Sequence, residues 1–135
     1  MAAPPGHAIA RRARCPLAAL DGQSFIGFDR DIPTRRLVDA ILRRHGVRVA
    51  YGMEFDNVET IKRSVEAGLG VSLLPAPTLV TEIRAHTLVA RPPAEGPFYR
   101  PIGLMRRRGR ELSAASRAFL ALLTAELAER PPTRR

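Results

Sequence analysis

Residues 54–75 read EFDNVETIKRSVEAGLGVSLLP, and this stretch decides the fold. Asp56 suits a helix N-cap with Glu59 three residues on, so that each side chain satisfies a backbone N–H left unpaired in the first turn. Val58, Ile61, Val65 and Leu69 follow at helical spacing and predict one apolar stripe. Gly68 suits the left-handed residue that ends such a helix, and Gly70 suits a sharp turn into a buried strand over 71–74. Pro75 stops that strand because it has no N–H to donate to a ladder. The stretch is therefore a strand end, a capped helix, a two-glycine turn and a strand.

Working outward, the same alternation repeats. A short strand over 25–28 closes in the polar turn 29–31, and Pro33 suits the first position of a helix running to about residue 45. That helix places Leu37, Val38, Ile41 and Leu42 on its apolar face and Arg35, Arg36, Arg43 and Arg44 on its wet side, with Asp39 and Arg43 spaced to pair. Gly46 ends it. A strand over 47–55 follows, with Val49, Tyr51, Met53 and Phe55 alternating onto one face. Beyond Pro75 come a short helix over 77–85 carrying Leu79, Val80 and Ile83, a strand over 88–91, and a Pro/Gly loop over 91–98 that is the most flexible stretch by composition. A last strand spans 102–106. Ser113 caps a final helix that buries Phe119, Leu120, Leu123 and Leu127, and the tail from residue 130 frays. Residues 1–22 read as an extended lead-in with one apolar turn at Leu17 and Leu20.

Strands separated by helices imply βαβ units, a largely parallel sheet and helices on both of its faces. Ligands of such sheets sit outside the carboxyl ends of the strands. Here those ends are 28–31, 55–57 and 74–76.

Composition narrows the function. A 135-residue chain with 45% hydrophobic content is one folded domain by default, with a real core. No apolar run approaches a membrane span, and the first residues lack the apolar core of a signal peptide. The one cysteine, Cys15, rules out an internal disulfide and fits a reducing compartment. The net charge of +9 is almost all arginine, Lys62 being the one lysine, and the arginines are scattered in short runs that read as solvated surface. His7, His45 and His86 stand far apart, with no nucleophile beside an oriented base. The pairs Asp29/Asp31 and Glu54/Asp56 are explained by turns and capping. No His, Cys and carboxylate set has metal-ligand spacing, and Gly68-Leu69-Gly70 lacks the third glycine of a dinucleotide loop. Catalytic, metal and cofactor roles are therefore not expected.

Binding is better supported. Helices beginning at 33–35 and 57–59 open toward one cleft, each presenting unpaired N–H groups and a partial positive charge suited to a carboxylate or similar small anion. Thr34 and Asn57 add neutral hydrogen-bonding groups, Arg30 or Arg35 adds charge, and Asp29, Asp31 and Asp56 oppose an anion unless paired.

The ordered set of motifs resembles the effector-sensing domain of LysR-type transcriptional regulators, in its second subdomain. Residues 54–75 carry the core of the resemblance. PPGHAIARRARCPLAALDGQSFIGFDRDIPTRRLVDAILRRHGVRV (4–48) looks like the crossover from the first subdomain and the opening strand and helix of the second. TLVARPP (87–93) and RPIGLMRRRGRELSAASRAFLALL (100–123) look like the exit strand and the return to the first subdomain. Together they cover about residues 4–127. The resemblance implies a three-layer αβα fold of the type II periplasmic-binding-protein kind. Its parts would be the lead-in (1–22), the second subdomain (23–98), the return strand and helix (99–129) and the tail (130–135). It implies effector contacts from Phe28, Asp29, Thr34, Arg35, Phe55, Asp56, Asn57 and Val58. It further implies a small-molecule effector, a cytoplasmic and dimeric regulator, no cofactor, and DNA contact through a helix-turn-helix outside this chain. On that reading the chain is N-terminally truncated, its return segment lacks partners, and it self-associates and binds effector weakly or not at all. The alternatives are a small basic nucleic-acid-binding module using 106–110, an enzyme on the same fold, and a regulator fragment without function.

Overall fold

The computed structural model describes residues 1–100, 103–107, 109 and 111–129, with the backbone alone at 127–129. Its elements are β1 (Ala2–Ala3), β2 (Ser24–Phe28), α1 (Pro33–Arg44), β3 (Ala50–Phe55), α2 (Val58–Glu66), α3 (Val80–Arg84), β4 (Val89–Ala90) and α4 (Ala114–Glu129), with 3-10 turns at Ala8–Arg11, Leu17–Leu20 and Ala76–Leu79. They fall into two units, Met1–Pro101 and Ile102–Arg135.

In the first unit β2 and β3 pair in parallel, and β1 and β4 pair antiparallel. Val71 and Ser72 join the two ladders, bridging Phe25 in parallel and Ala2 antiparallel. The lateral order is thus β3, β2, residues 71–72, β1, β4, with β1 alone running backward. The expected strand over 71–74 contracts to this pair of residues at the centre of the sheet. Residues 1–3, part of the expected lead-in, are buried, and Ala2–Ala3 form β1.

Successive residues of β2 point to opposite faces, as the period of two requires. Phe25 faces a core of Ile9, Leu17, Leu20, Val38, Ile41 and Leu42 under α1. Ile26 faces one of Ile61, Val65, Leu74, Leu79 and Leu88 under α2 and α3. Each such side chain, fully buried, contributes about 1.5–3 kcal/mol. This is the expected three-layer arrangement.

Several expectations are corrected. The alternation along β3 is broken by a bulge, because Phe25 pairs with Tyr51 but Ile26 with Met53, leaving Gly52 unmatched. The extra residue reverses the faces beyond it. Tyr51 meets Phe25 edge-on at 5.3 Å in the first core, whereas Phe55 packs on the second and Met53 is exposed. In α2 the cap is Asn57, not Asp56: its Oδ1 accepts from Thr60 N at 2.9 Å. Glu59 pairs with Lys62 rather than closing a capping box. Asn57→Ala is expected to cost about 1 kcal/mol, the usual worth of an N-cap, measured by urea denaturation, whereas Asp56→Ala is expected to leave stability unchanged. Of the predicted stripe, Ile61 and Val65 are buried and Leu69 is 48% exposed, since Gly68 (φ +77°) turns the chain away before it.

Residues 76–79 form a 3-10 turn ahead of α3, which buries Leu79 and Glu82 and leaves Val80 and Ile83 outside. The loop over 91–98 is tied down. Cys15 N donates to Pro92 O, Ala94 N donates to Cys15 O, and Leu17 N donates to Glu95 Oε1 at 2.8 Å.

In the second unit no strand occurs at the described residues 103–107, while Ile102 lies outside the described residues. Ser113 Oγ accepts from Ser116 N at 3.2 Å and caps α4 as expected. Phe119 is not buried but 63% exposed, and Leu122 is exposed beside it. The Leu127 side chain and the tail from 130 lie outside the described residues.

Candidate ligand-binding site

The carboxyl ends of β2 and β3 meet where the sequence places the site. Phe28 and Phe55 are register partners, and Asp29 N donates to Phe55 O at 2.9 Å, locking the two strand ends together. Ile32 N donates back to Asp29 O, a tight turn that feeds α1. Pro33 fits the first helical position because its missing N–H is one the helix cannot pair anyway. No side chain caps α1, so its positive end stays open. At α2, Asn57 takes up Thr60 N, and Asp56, exposed, accepts from Asn57 Nδ2 at 3.0 Å. The two helix starts are therefore unequal, α2 having a side-chain cap and α1 none.

Thr34 is buried in the first turn of α1, and its hydroxyl accepts a 2.9 Å hydrogen bond from Arg100 Nη1. Arg100 was not among the expected residues. It lies 66 positions along the chain from Thr34, and no local pattern links the two. The pair sets a guanidinium and a hydroxyl at an open helix N-terminus.

Arg35 departs from expectation. It is buried rather than on the wet side of α1. Its guanidinium bonds Glu54 at 2.7 Å, Asp39 at 2.9 Å and Phe28 O at 2.8 Å, and lies 3.6 Å over the Tyr51 ring. Asp39 thus pairs with Arg35, not with Arg43. Burial alone lowers the Arg35 pKa, but the hydrogen bonds to Glu54 and Asp39 outweigh it and hold the pKa above its ordinary value. Burial, then the hydrogen bond to Asp39, raises the Tyr51 phenol. Arg35 fastens α1 to the ends of β2 and β3.

The structure thus brings Phe28, Asp29, Arg35 and Phe55 together. Phe28 and Phe55 form part of the second core, with Val58 packed beside them. Asp56 and Asn57 stand exposed at the start of α2. A cavity of about 300 Å³ lies elsewhere in the first unit, lined by His7, Ile9, Arg12, Cys15 and Gln23 among others. Another of about 430 Å³ lies in the second unit. Neither touches the candidate residues. Among the described residues no group of three His, Cys, Asp or Glu could hold a metal ion, and no helix is long and apolar enough to cross a membrane.

The LysR substrate binding domain family matches residues 1–128. The chain is 30% identical over 126 residues to the RuBisCO operon transcriptional regulator of Allochromatium vinosum, covering 93% of this chain and 42% of that protein. It is 39% identical over 88 residues to the HTH-type transcriptional regulator CbbR of Cereibacter sphaeroides, covering 64% of this chain and 28% of that one. It therefore spans less than half the length of these relatives, which are transcriptional regulators rather than enzymes. Among solved structures it is similar to the Synechocystis PCC6803 CcmR regulatory domain in complex with 2-PG (TM-score 0.77, 28% identity, 93% of this chain and 60% of that one). It also shares the fold of the effector binding domain of QuiR in complex with shikimate (TM-score 0.81, 18% identity, 95% of this chain and 60% of that one). The strand order, the helix-flanked sheet and the family match agree: this chain belongs to the LysR substrate binding domain family, and it is an effector-binding domain of a LysR-type regulator.

Proposed function

We propose that the chain supplies one wall of an effector cleft for a small organic anion, and that Thr34 beneath Arg100 at the open start of α1 is the contact for the anionic group. The observation that carries this reading is the Arg100–Thr34 hydrogen bond at a helix end that no side chain caps. Unpaired backbone N–H groups, the helix dipole and a guanidinium all favour negative charge there. Asn57 and Val58 at the start of α2 contribute a hydrogen-bonding group and an apolar contact. Arg35 is a positioning residue, its donors already engaged by Glu54, Asp39 and Phe28 O. The related domains that bind 2-PG and shikimate support small-molecule recognition by this fold.

In a whole regulator the effector biases an oligomer between two arrangements by binding one of them better. Cytoplasmic location, self-association and a separate helix-turn-helix that contacts DNA belong to the same reading. The exposed Leu104, Met105, Phe119 and Leu122 of the second unit support self-association.

Amide NMR titration with 2-PG, and separately with shikimate, tests the site and registers even weak binding. Resonances of Thr34, Arg35, Asn57 and Val58 are expected to shift together. Arg100→Gln and Thr34→Val are each expected to weaken that response about tenfold, or about 1.4 kcal/mol. Shifts centred elsewhere, or untouched by Arg100→Gln, would remove Thr34 and Arg100 from the site.

A further inference from the structure

The carboxyl ends of β2 and β3 carry mixed charge, Asp29, Asp31, Glu54 and Asp56 together with Arg30, Arg35 and Arg100. The opposite end, where the chain enters those strands, carries arginine. Arg43 and Arg44 stand in the last turn of α1, which returns toward β3 as Val47 N donates to Leu42 O at 2.9 Å. Arg48 lies beside the entry to β2: its carbonyl accepts from Gly22 N at 2.9 Å, and its N–H donates to Asp21 Oδ1 at 2.8 Å. Arg12 lines the same cavity as Gln23, the residue just before β2. All of these arginines are exposed, and none is ion-paired among the described residues. Asp21 and Glu95 are carboxylates placed among them, and each has an oxygen taken by a backbone N–H. The helix dipole accounts for Arg43 and Arg44. It does not account for Arg48, which lies in a loop, or for Arg12, which follows a single 3-10 turn.

We infer that this end of the unit is a contact surface for the phosphate backbone of duplex DNA, read without regard to sequence. Solvent-exposed guanidinium groups without internal partners fit a regular line of phosphates, and displacement of counterions supplies the affinity. A single strand would need aromatic platforms, but at this end Phe98 is engaged edge-on by the His45 ring at 5.8 Å. The surface lies at the far end of the strands from the effector cleft, so the two can be occupied together. It would add to any contact made by a helix-turn-helix elsewhere.

Fluorescence anisotropy of the full chain with a labelled duplex of about 30 base pairs and arbitrary sequence tests this. Binding is expected at 50 mM NaCl and to weaken roughly a hundredfold by 200 mM, as about four phosphate contacts require. Neutralising the surface as R12Q/R43Q/R44Q/R48Q, with folding checked by circular dichroism, is expected to weaken binding at the lower salt by about tenfold or more and to flatten the salt dependence. If that protein does not fold, the pairs R12Q/R48Q and R43Q/R44Q are each expected to show part of the loss. R106Q/R107Q is expected to bind as the parent does. Absence of binding at 50 mM, parental affinity in the neutralised proteins, an equal loss in R106Q/R107Q, or better competition by single-stranded DNA would each overturn the inference.

Discussion

Lys62→Ala is expected to destabilise the first unit by roughly 3 kcal/mol, lowering its melting temperature by about 10 °C or more. Lys62 is 5% exposed and Glu82, which it meets at 2.9 Å, is 4% exposed. The ammonium also bonds Glu59 at 2.8 Å and Thr78 O at 3.2 Å, and so ties α2 to the turn before α3. Removing it strands the Glu82 carboxylate, whose Oε2 already lacks a hydrogen-bond partner among the described residues. The cost sits at the lower end for a broken buried pair because Glu59, mostly exposed, is satisfied by water. The double variant K62M/E82L replaces both charges by apolar groups of similar size and is expected to recover most of the loss. If it melts as low as K62A, the cost lies in lost packing rather than in an unpaired charge.

The same network fixes a pH dependence. Hydrogen bonds to Glu59 and then Glu82 raise the Lys62 pKa above its ordinary 10.5. Its contribution is full below that value and is lost as pH rises through the raised one. The bond from Lys62, then Glu82's backbone, depresses the Glu82 pKa below its ordinary 4.5. That contribution is full above 4.5 and is lost as pH falls through the depressed value. The difference in urea midpoint between the parent and K62M/E82L is therefore expected to be level between the two ordinary values and to shrink beyond each.

The fold was legible in the sequence because its signals are local. Pro33 at a helix start, Gly68 at a helix end and the 3.6-residue spacing of Ile61 and Val65 all act within one element, and all stand as read. What escaped depends on the partner across the sheet. The bulge at Gly52 follows from how β2 and β3 pair, so Tyr51 and Phe55 look equivalent in one strand and end on opposite faces. Arg35 read as surface because charge predicts exposure, and nothing in the spacing marked Lys62, yet each is buried where carboxylates from other elements meet it. Asp56 and Asn57 are neighbours with similar capping preference, and one step in backbone direction chose Asn57. The position of the candidate site follows from sheet topology, whereas Arg100 reaches Thr34 through tertiary folding that no spacing encodes.

Gly70→Ala is expected to cost about 3 kcal/mol, the upper end for overpacking, because the clash is with backbone. A methyl group at Gly70 would lie 2.5 Å from Ser24 O and 3.1 Å from both Ser24 C and Ile26 Cγ1. Ser24 O cannot turn aside, since it accepts the 3.0 Å bond from Val71 N that begins the central rung of the sheet. Ser24 Oγ also donates to Leu69 O at 3.0 Å, pinning the turn on its other side. Relief would have to lengthen these bonds and part β2 from residues 71–72, which connect the parallel pair to β1. Gly70 is thus needed for close approach between backbones, whereas Gly68 is needed for its left-handed φ of +77° and has open space around it. Asparagine tolerates that conformation, so Gly68→Asn is expected to keep nearly all of the stability. Urea denaturation of the two variants separates the roles. Near-parental stability in G70A would mean that the sheet gives way at its centre without cost, and the tight contact between Gly70 and β2 would then not be what holds the 54–75 stretch in place.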